Sequence, residues 1–236
     1  MAEVAQLPSQ YFAVANDGLK SPFIKTSDVN ISLPVKEIEP RTIDELMRSR
    51  ARHFPDEKIL GYPDEKGEYV EYTYCDLDTF ACQAAQQYLK TIPRRASSNE
   101  KERVVGLLGA SNLDYLITTL ALTKLGFTVL FLSTRISGAA YQSLLENTSS
   151  QHILVDDSFL ETAKNLKAGI PGLSITKIVT VCSLSQSTTL DASETRLDSI
   201  LDLNIESKKI SWIIHSSGST GLPKPIYQTH TAALRK

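Results

Sequence analysis

The sequence has little cysteine and no cysteine pair at metal-binding spacing. Its three cysteines are Cys75, Cys82 and Cys182, and their number is odd. A disulfide framework would need an even set, and a zinc knuckle would need closely spaced pairs. We therefore expect reduced thiols, which are typical of a cytoplasmic protein.

An excess of either charge is also missing. The chain has a formal net charge of -2 and an isoelectric point near 6.1. These values provide no broad attraction for nucleic acid or anionic lipid, so we expect no nucleic-acid partner. Residues 1–6 lack a basic segment that leads into an apolar one, and no secretory signal is predicted.

The sequence has no uninterrupted apolar run of membrane-spanning length. The best candidate extends from Leu113 to Leu132, and Asp114, Lys124 and Gly126 interrupt it. A membrane helix needs about 20 predominantly apolar residues. The pattern instead predicts a helix followed by a buried strand, and we expect no membrane association.

What is present is the composition of a globular protein. The chain has 236 residues, of which 42% are hydrophobic and 22% are charged, enough to bury a sizeable core. Residues 1–40 carry four prolines and no sustained period, which predicts an extended N-terminal arm. We assign residues 41–236 to one α/β domain with no linker inside it.

The first part of this domain combines helices with a hairpin. Thr42 and Glu45 form a capping-box pattern that predicts a helix ending near Pro55. Two strands are predicted around a charged turn, over residues 58–62 and 68–74. Asp76 is the expected cap of the helix that follows.

From Arg103 onward, short apolar runs alternate with helical patterns. Strands without internal alternation indicate a sheet covered on both faces. The fold class predicted is therefore α/β, with a doubly wound, mostly parallel sheet and flanking helices. The strands are predicted at Val104–Leu108, Thr128–Leu132, His152–Val155, Lys177–Val181 and Ile210–Ile214, and a helix capped by Ser111 is predicted over Asn112–Leu125.

A loop rich in hydroxyls and glycine follows the last of these strands. Gly218 and Gly221 would let backbone N–H groups approach a phosphate without a Cβ in the way. Hydroxyls that can bind phosphate oxygens precede a lysine, Lys224, that can place a positive charge over them. The hydroxyl residues are Ser216, Ser217, Ser219 and Thr220, of which Thr220 can also contact a magnesium shell indirectly.

The spacing excludes two common phosphate motifs. A Walker A loop needs Gly-Lys-Ser/Thr after four residues, whereas Pro223 stands five residues after Gly218. The pattern is not Gly-x-Gly-x-x-Gly either. The alternative is a flexible Ser/Gly loop that connects two elements and binds no ligand. The glycines, the hydroxyls, the Pro-Lys pair and the preceding strand all favour a phosphate-binding loop instead.

These residues resemble a known family signature. The segment from Ser216 to Lys224 is similar to the phosphate-binding signature of the adenylate-forming superfamily, which includes acyl-CoA synthetases, luciferases and the adenylation domains of nonribosomal peptide synthetases. Residues 72–77 resemble the family's Tyr-x-x-Leu motif, and residues 124–130 resemble its Lys-Ala-Gly segment. The resemblance covers roughly residue 41 to the C-terminus.

Within the superfamily, three features resemble fungal synthetase-like carboxylate reductases of the aminoadipate type. This resemblance implies a role in fungal secondary metabolism. The three features are His215 before the loop, Pro225 after the lysine, and the segment 131–135. The common pattern has glycine where Pro225 stands, and proline fixes φ and removes an N–H. The loop exit is therefore expected to differ from the common one.

The resemblance implies carboxylate activation. A small-molecule carboxylate would attack the α-phosphate of Mg-ATP, and the acyl-adenylate would pass to a thiol. ATP and Mg²⁺ are the implied cofactors, with phosphopantetheine and NADPH used by downstream carrier and reductase domains. The loop would bind the departing phosphates, and no residue of the chain is assigned a catalytic role.

Two histidines near the loop are candidates for a position close to the substrate. His215 directly precedes the loop, and His230 matches a histidine that often follows it in the family. A solitary histidine at a helix start is as often structural, so both interpretations of His230 stay open. The other histidines have no partners that the sequence identifies.

The resemblance also implies that later elements of an adenylation domain lie beyond this chain. We therefore expect an N-terminal portion, truncated after the phosphate-binding loop, that is inactive alone although its parent family consists of AMP-forming enzymes. One alternative is a nucleotide-binding or interaction module that has lost catalysis. Another is an acyl-CoA synthetase-type ligase.

Overall fold

The computed structural model describes residues 39–64, 66–184, 195–216 and 222–235. The described helices are α1 (Ile43–His53), α2 (Tyr74–Leu89), α3 (Leu113–Lys124), α4 (Gly138–Asn147), α5 (Leu160–Gly169), α6 (Val181–Leu184), α7 (Leu203–Glu206) and α8 (His230–Leu234). The described strands are β1 (Lys58–Pro63), β2 (Tyr69–Thr73), β3 (Val104–Leu108), β4 (Thr128–Leu132), β5 (His152–Val155), β6 (Ser174–Lys177), β7 (Ile210–Ser216) and β8 (Lys224–Thr229).

A mostly parallel sheet forms the centre of the fold. Within the described residues, its strand order is β6-β5-β3-β4-β7-β8, and only the β7–β8 pair is antiparallel. β1 and β2 form a separate antiparallel hairpin. The predicted doubly wound α/β architecture is confirmed, because helices cover both faces of the sheet.

Successive residues of the central strands point to opposite layers. Val105 and Leu107 of β3 pack with α2 and α3 in one apolar cluster. Leu108 of the same strand packs with α4 and α5 in another. These β3 residues are fully buried, so both faces of the sheet are covered, which explains why the central strands are continuous apolar runs.

The ends of two helices differ from the prediction by a few residues. Thr73, not Asp76, caps α2: its side chain accepts from Asp76 N at 3.1 Å, and the Asp76 carboxylate accepts from Thr73 N at 2.8 Å. This reciprocal pair is a capping box. Asn112, not Ser111, caps α3 and accepts from Tyr115 N at 2.9 Å.

The strand predicted at Lys177–Val181 is wrong in its position. β6 ends at Lys177, and α6 begins at Val181. Beyond Ile178, backbone N–H groups donate to side chains instead of to a neighbouring strand. Val179 N donates to Tyr88 Oη at 3.0 Å, and Val181 N donates to Asp114 at 2.7 Å. The apolar residues here line a turn instead of extending the sheet.

No strand was predicted at the position of β8, which contains Pro225, and proline is rare inside central strands. β8 pairs in register with β7, with Pro225 opposite His215. β8 is the last strand of the described sheet, a position where a missing N–H is tolerated.

In the described part of the chain, no helix combines the length and apolar character needed to cross a bilayer.

Candidate functional site

The predicted phosphate-binding loop starts and ends at neighbouring positions of the sheet. Ser216 is the last residue of β7 and pairs with Lys224, the first residue of β8. Both side chains are exposed. Because β3, β4 and β7 run parallel, their carboxyl ends meet at this same edge, where open α/β sheets bind ligands.

Lys224 is a solvent-facing cation at this edge. Among the described residues, it makes no hydrogen bond and no ion pair. An ammonium group that the protein has not already neutralised is available to an anionic ligand. This is the electrostatic feature that a phosphate-binding loop requires at its exit.

The remaining predicted loop residues are Ser217, Gly218, Ser219, Thr220 and Gly221, and they lie outside the described residues. Their predicted contacts with phosphate, and the indirect magnesium contact of Thr220, stay predictions. The structure does fix where this segment enters and leaves the sheet.

His215 lies at the same edge, half-buried beside the start of the loop. Its Nε2 accepts a hydrogen bond from Ser133 N at 3.2 Å. An acceptor nitrogen carries no proton, so the neutral ring has its proton on Nδ1. Burial lowers the pKa of His215, which favours this neutral form.

A cavity of about 330 Å³ opens beside His215 at the carboxyl ends of β3, β4 and β7. Its wall includes two stacked rings, Tyr115 and Phe131, whose centroids are 6.1 Å apart. Burial raises the pKa of Tyr115 to about 12, so its phenol stays neutral. Ser133 and Thr134 add polar groups. The cavity was not predicted from the sequence. Ser133 and Thr134 directly follow β4, and polar residues at the carboxyl end of a parallel strand could have indicated it.

His230 lies at the opposite edge of the sheet from Lys224, as the direction of β8 shows. β8 runs from Lys224 to Thr229, so His230 follows its far end, about 20 Å from Lys224 at about 3.3 Å per residue. Its ring is buried, and Nδ1 accepts from Ile43 N at 3.2 Å. Burial lowers the pKa of His230 to about 4. This neutral histidine joins α1 to α8.

The lysine of the Lys-Ala-Gly-like segment is also structural. Lys124 is 2% exposed and lies 3.0 Å from Asp44, with a second ion pair to Asp78. These contacts join α3 to α1 and α2. Lys124 therefore secures the helical layer and lies apart from the loop.

The described residues provide no metal site of their own. No group of three or more His, Cys, Asp or Glu side chains among them is arranged to hold a metal ion. Mg²⁺ commonly binds through substrate phosphates with one or two carboxylates. The cation and hydroxyl at the loop ends fit a phosphate, so a magnesium ion at this edge would arrive with the nucleotide.

The chain is similar to known proteins over most of its length. The sequence model of the family described as AMP-binding enzyme matches residues 47–236. An adenylate-forming reductase from Aspergillus terreus is 30% identical over 220 residues, covering 86% of this chain and 20% of that protein. A carboxylic acid reductase from Neurospora crassa is 25% identical over 193 residues, covering 79% of this chain and 17% of that protein. The chain therefore spans about a fifth of the length of these relatives.

Solved adenylation domains share the fold. The adenylation domain of a carboxylate reductase from Mycobacterium chelonae has a TM-score of 0.60 at 20% identity, over 82% of this chain and 35% of that chain. The N-terminal subdomain of NpsA from Klebsiella oxytoca gives 0.59 at 17% identity, over 84% of this chain and 44% of that chain. The extent of the family match shows that this chain belongs to the AMP-binding, adenylate-forming enzymes.

Proposed function

We propose that this chain is the N-terminal part of an adenylation domain that activates a carboxylic acid with MgATP. The observation that carries the proposal is the pairing of Ser216 with Lys224 at the carboxyl edge of a parallel sheet. This pairing brackets the phosphate-binding signature and leaves the Lys224 cation free of ion pairs among the described residues. A polyphosphate at this edge would meet that cation directly.

The reaction is a displacement at phosphorus. A carboxylate oxygen of the substrate forms a bond to the α-phosphorus of ATP, and the bond from that phosphorus to the β-phosphate oxygen breaks. The products are an acyl-adenylate and pyrophosphate. Lys224 would attract the β- and γ-phosphates and stabilise the negative charge that builds up on the leaving group.

The likeness to fungal reductases supports a more specific role. We infer that the whole protein is a synthetase-like carboxylate reductase, acting in the cytoplasm on a small-molecule acid. The acyl group would then pass to the phosphopantetheine thiol of a carrier domain, and a reductase domain would reduce it with NADPH. Similarity to a reductase from Aspergillus terreus that is several times longer supports this arrangement.

A direct test is carboxylate-dependent exchange of labelled pyrophosphate into ATP. We expect no exchange by these residues alone, and exchange by a chain extended to the length of a relative's adenylation domain. The exchange should depend on an added acid and identify the substrate from a panel of aliphatic, aromatic and amino acids. Release of ADP and phosphate would contradict the proposal, and exchange by the short chain would contradict its inactivity.

A further inference from the structure

Strands β4 and β7 separate at the edge from which the phosphate-binding loop departs. Their paired residues are Val129 with Trp212 and Leu130 with Ile213. Beyond these pairs, β4 remains bound to β3 through Leu132, while β7 remains bound to β8 up to Ser216. In the part of the chain that the structure describes, no backbone pair joins the last residues of β4 and β7.

Two side-chain hydrogen bonds bracket this short ladder. At its amino end, Thr128 Oγ1 donates to Ile210 O at 2.7 Å. At its carboxyl end, Ser133 N donates to His215 Nε2 at 3.2 Å. The imidazole therefore spans the gap that opens where backbone pairing stops.

Ser133 is a firm anchor for this bond. Its carbonyl accepts from Tyr141 Oη at 2.8 Å, and its hydroxyl accepts from Arg135 N at 3.3 Å. Tyr141 is itself 3% exposed, within the layer of α4 and α5. The core therefore holds Ser133 in place. The hydrogen bond from Ser133 to the His215 imidazole in turn holds the end of β7.

We infer that His215 is a positioning residue for the phosphate-binding loop: its bond to Ser133 fixes the end of β7 from which the loop departs. This inference rests on the proposed function. The loop begins one residue after His215, and Lys224 pairs with Ser216, so a displacement of the end of β7 displaces both ends of the loop. Converging phosphate contacts tolerate little displacement.

The test compares two variants at His215 with a matched control. His215→Leu removes the acceptor. His215→Gln retains one, because the amide oxygen stands as many bonds from Cβ as Nε2 does. Thr128→Val removes the hydrogen bond at the opposite end of the same ladder, about five residues of strand away from the loop. The measurements are the affinity of the full chain for MgATP, by calorimetry, and amide hydrogen exchange.

We expect His215→Leu to weaken MgATP binding about five- to tenfold, while His215→Gln and Thr128→Val stay within about twofold of the wild type. Hydrogen exchange should accelerate at Ser133 and across β8 in His215→Leu, and not in His215→Gln. An equal loss of affinity in His215→Leu and Thr128→Val would overturn the inference, since both would then act through stability alone.

Failure of the proposed function gives a different result. If Lys224→Ala leaves MgATP binding unchanged, the loop does not bind the nucleotide and the proposed function fails. Hydrogen exchange still tests the positioning role without ligand, because β8 should exchange faster in His215→Leu alone. Unchanged exchange in β8 would overturn the inference even if Lys224→Ala abolishes binding.

Discussion

Replacing Lys124 with methionine is expected to lower the free energy of unfolding by about 3 kcal/mol. The ammonium group contacts Asp44 and Asp78, and the Lys124 and Asp44 side chains are 2% and 0% exposed. Burial opposes the charge on Lys124 more than any single neighbour favours it, but Asp44, Cys82 and Asp78 together outweigh burial and raise the pKa of the lysine. Methionine is as long as the aliphatic stem of lysine and lacks the ammonium group, so Asp44 would lose a buried partner.

The expected loss of unfolding free energy depends on the ion pairs that Asp44 keeps. Breaking a buried ion pair commonly costs about 3–5 kcal/mol, because it leaves a buried charge uncompensated. Arg48 still lies 3.0 Å from Asp44, which places the expected loss at the lower end. Urea unfolding monitored by circular dichroism measures it.

Lys164→Met is the matched control for this prediction. Lys164 pairs with Glu161 across exposed positions of α5, where both side chains are more than half exposed. Surface pairs contribute less than about 1 kcal/mol. A loss at Lys124 no larger than the loss at Lys164 would contradict the structural role of the buried lysine.

Replacing Lys224 with alanine is expected to weaken MgATP binding by the chain at least about tenfold. A charge-assisted contact with phosphate contributes about 1.5–3 kcal/mol, and about 1.4 kcal/mol corresponds to a factor of ten. Lys224 is exposed at the start of β8, and among the described residues its substitution breaks no side-chain hydrogen bond and no ion pair. Stability should therefore stay unchanged.

Lys208→Ala provides the control for charge alone. Lys208 is exposed between α7 and β7, near the amino end of β7 and away from the loop. Lys208→Ala lowers the net charge by the same amount as Lys224→Ala. Because Lys208 lies away from the loop, the affinity of this variant for MgATP should stay within about twofold of the wild type. Calorimetry that finds equal losses for both variants would show that Lys224 acts only through the overall charge.

Three central strands were predicted to the residue. β3, β4 and β5 are short, largely apolar runs, as expected of parallel strands that are buried on both faces. β6 was misplaced because its apolar continuation binds the side chains of Tyr88 and Asp114. Such bonds join residues distant in the sequence, and no local pattern records them.

The sequence located the two ends of the candidate phosphate-binding loop, but it did not reveal the residues that pack beside them. Ser216 and Lys224 follow from the signature, and the structure places them opposite each other. The contact between His215 and Ser133 joins residues 82 positions apart, so only the folded sheet reveals it. His230 is close to the loop in sequence, but an extended strand carries it to the opposite end of the sheet.

Competition for MgATP binding tests the central claim most directly. If the loop binds the β- and γ-phosphates, inorganic pyrophosphate should displace MgATP from this chain, whereas AMP should not compete at the same concentration. Lys224→Ala should reduce the affinity for pyrophosphate in proportion to its effect on MgATP. Competition by AMP that equals or exceeds competition by pyrophosphate would contradict the account.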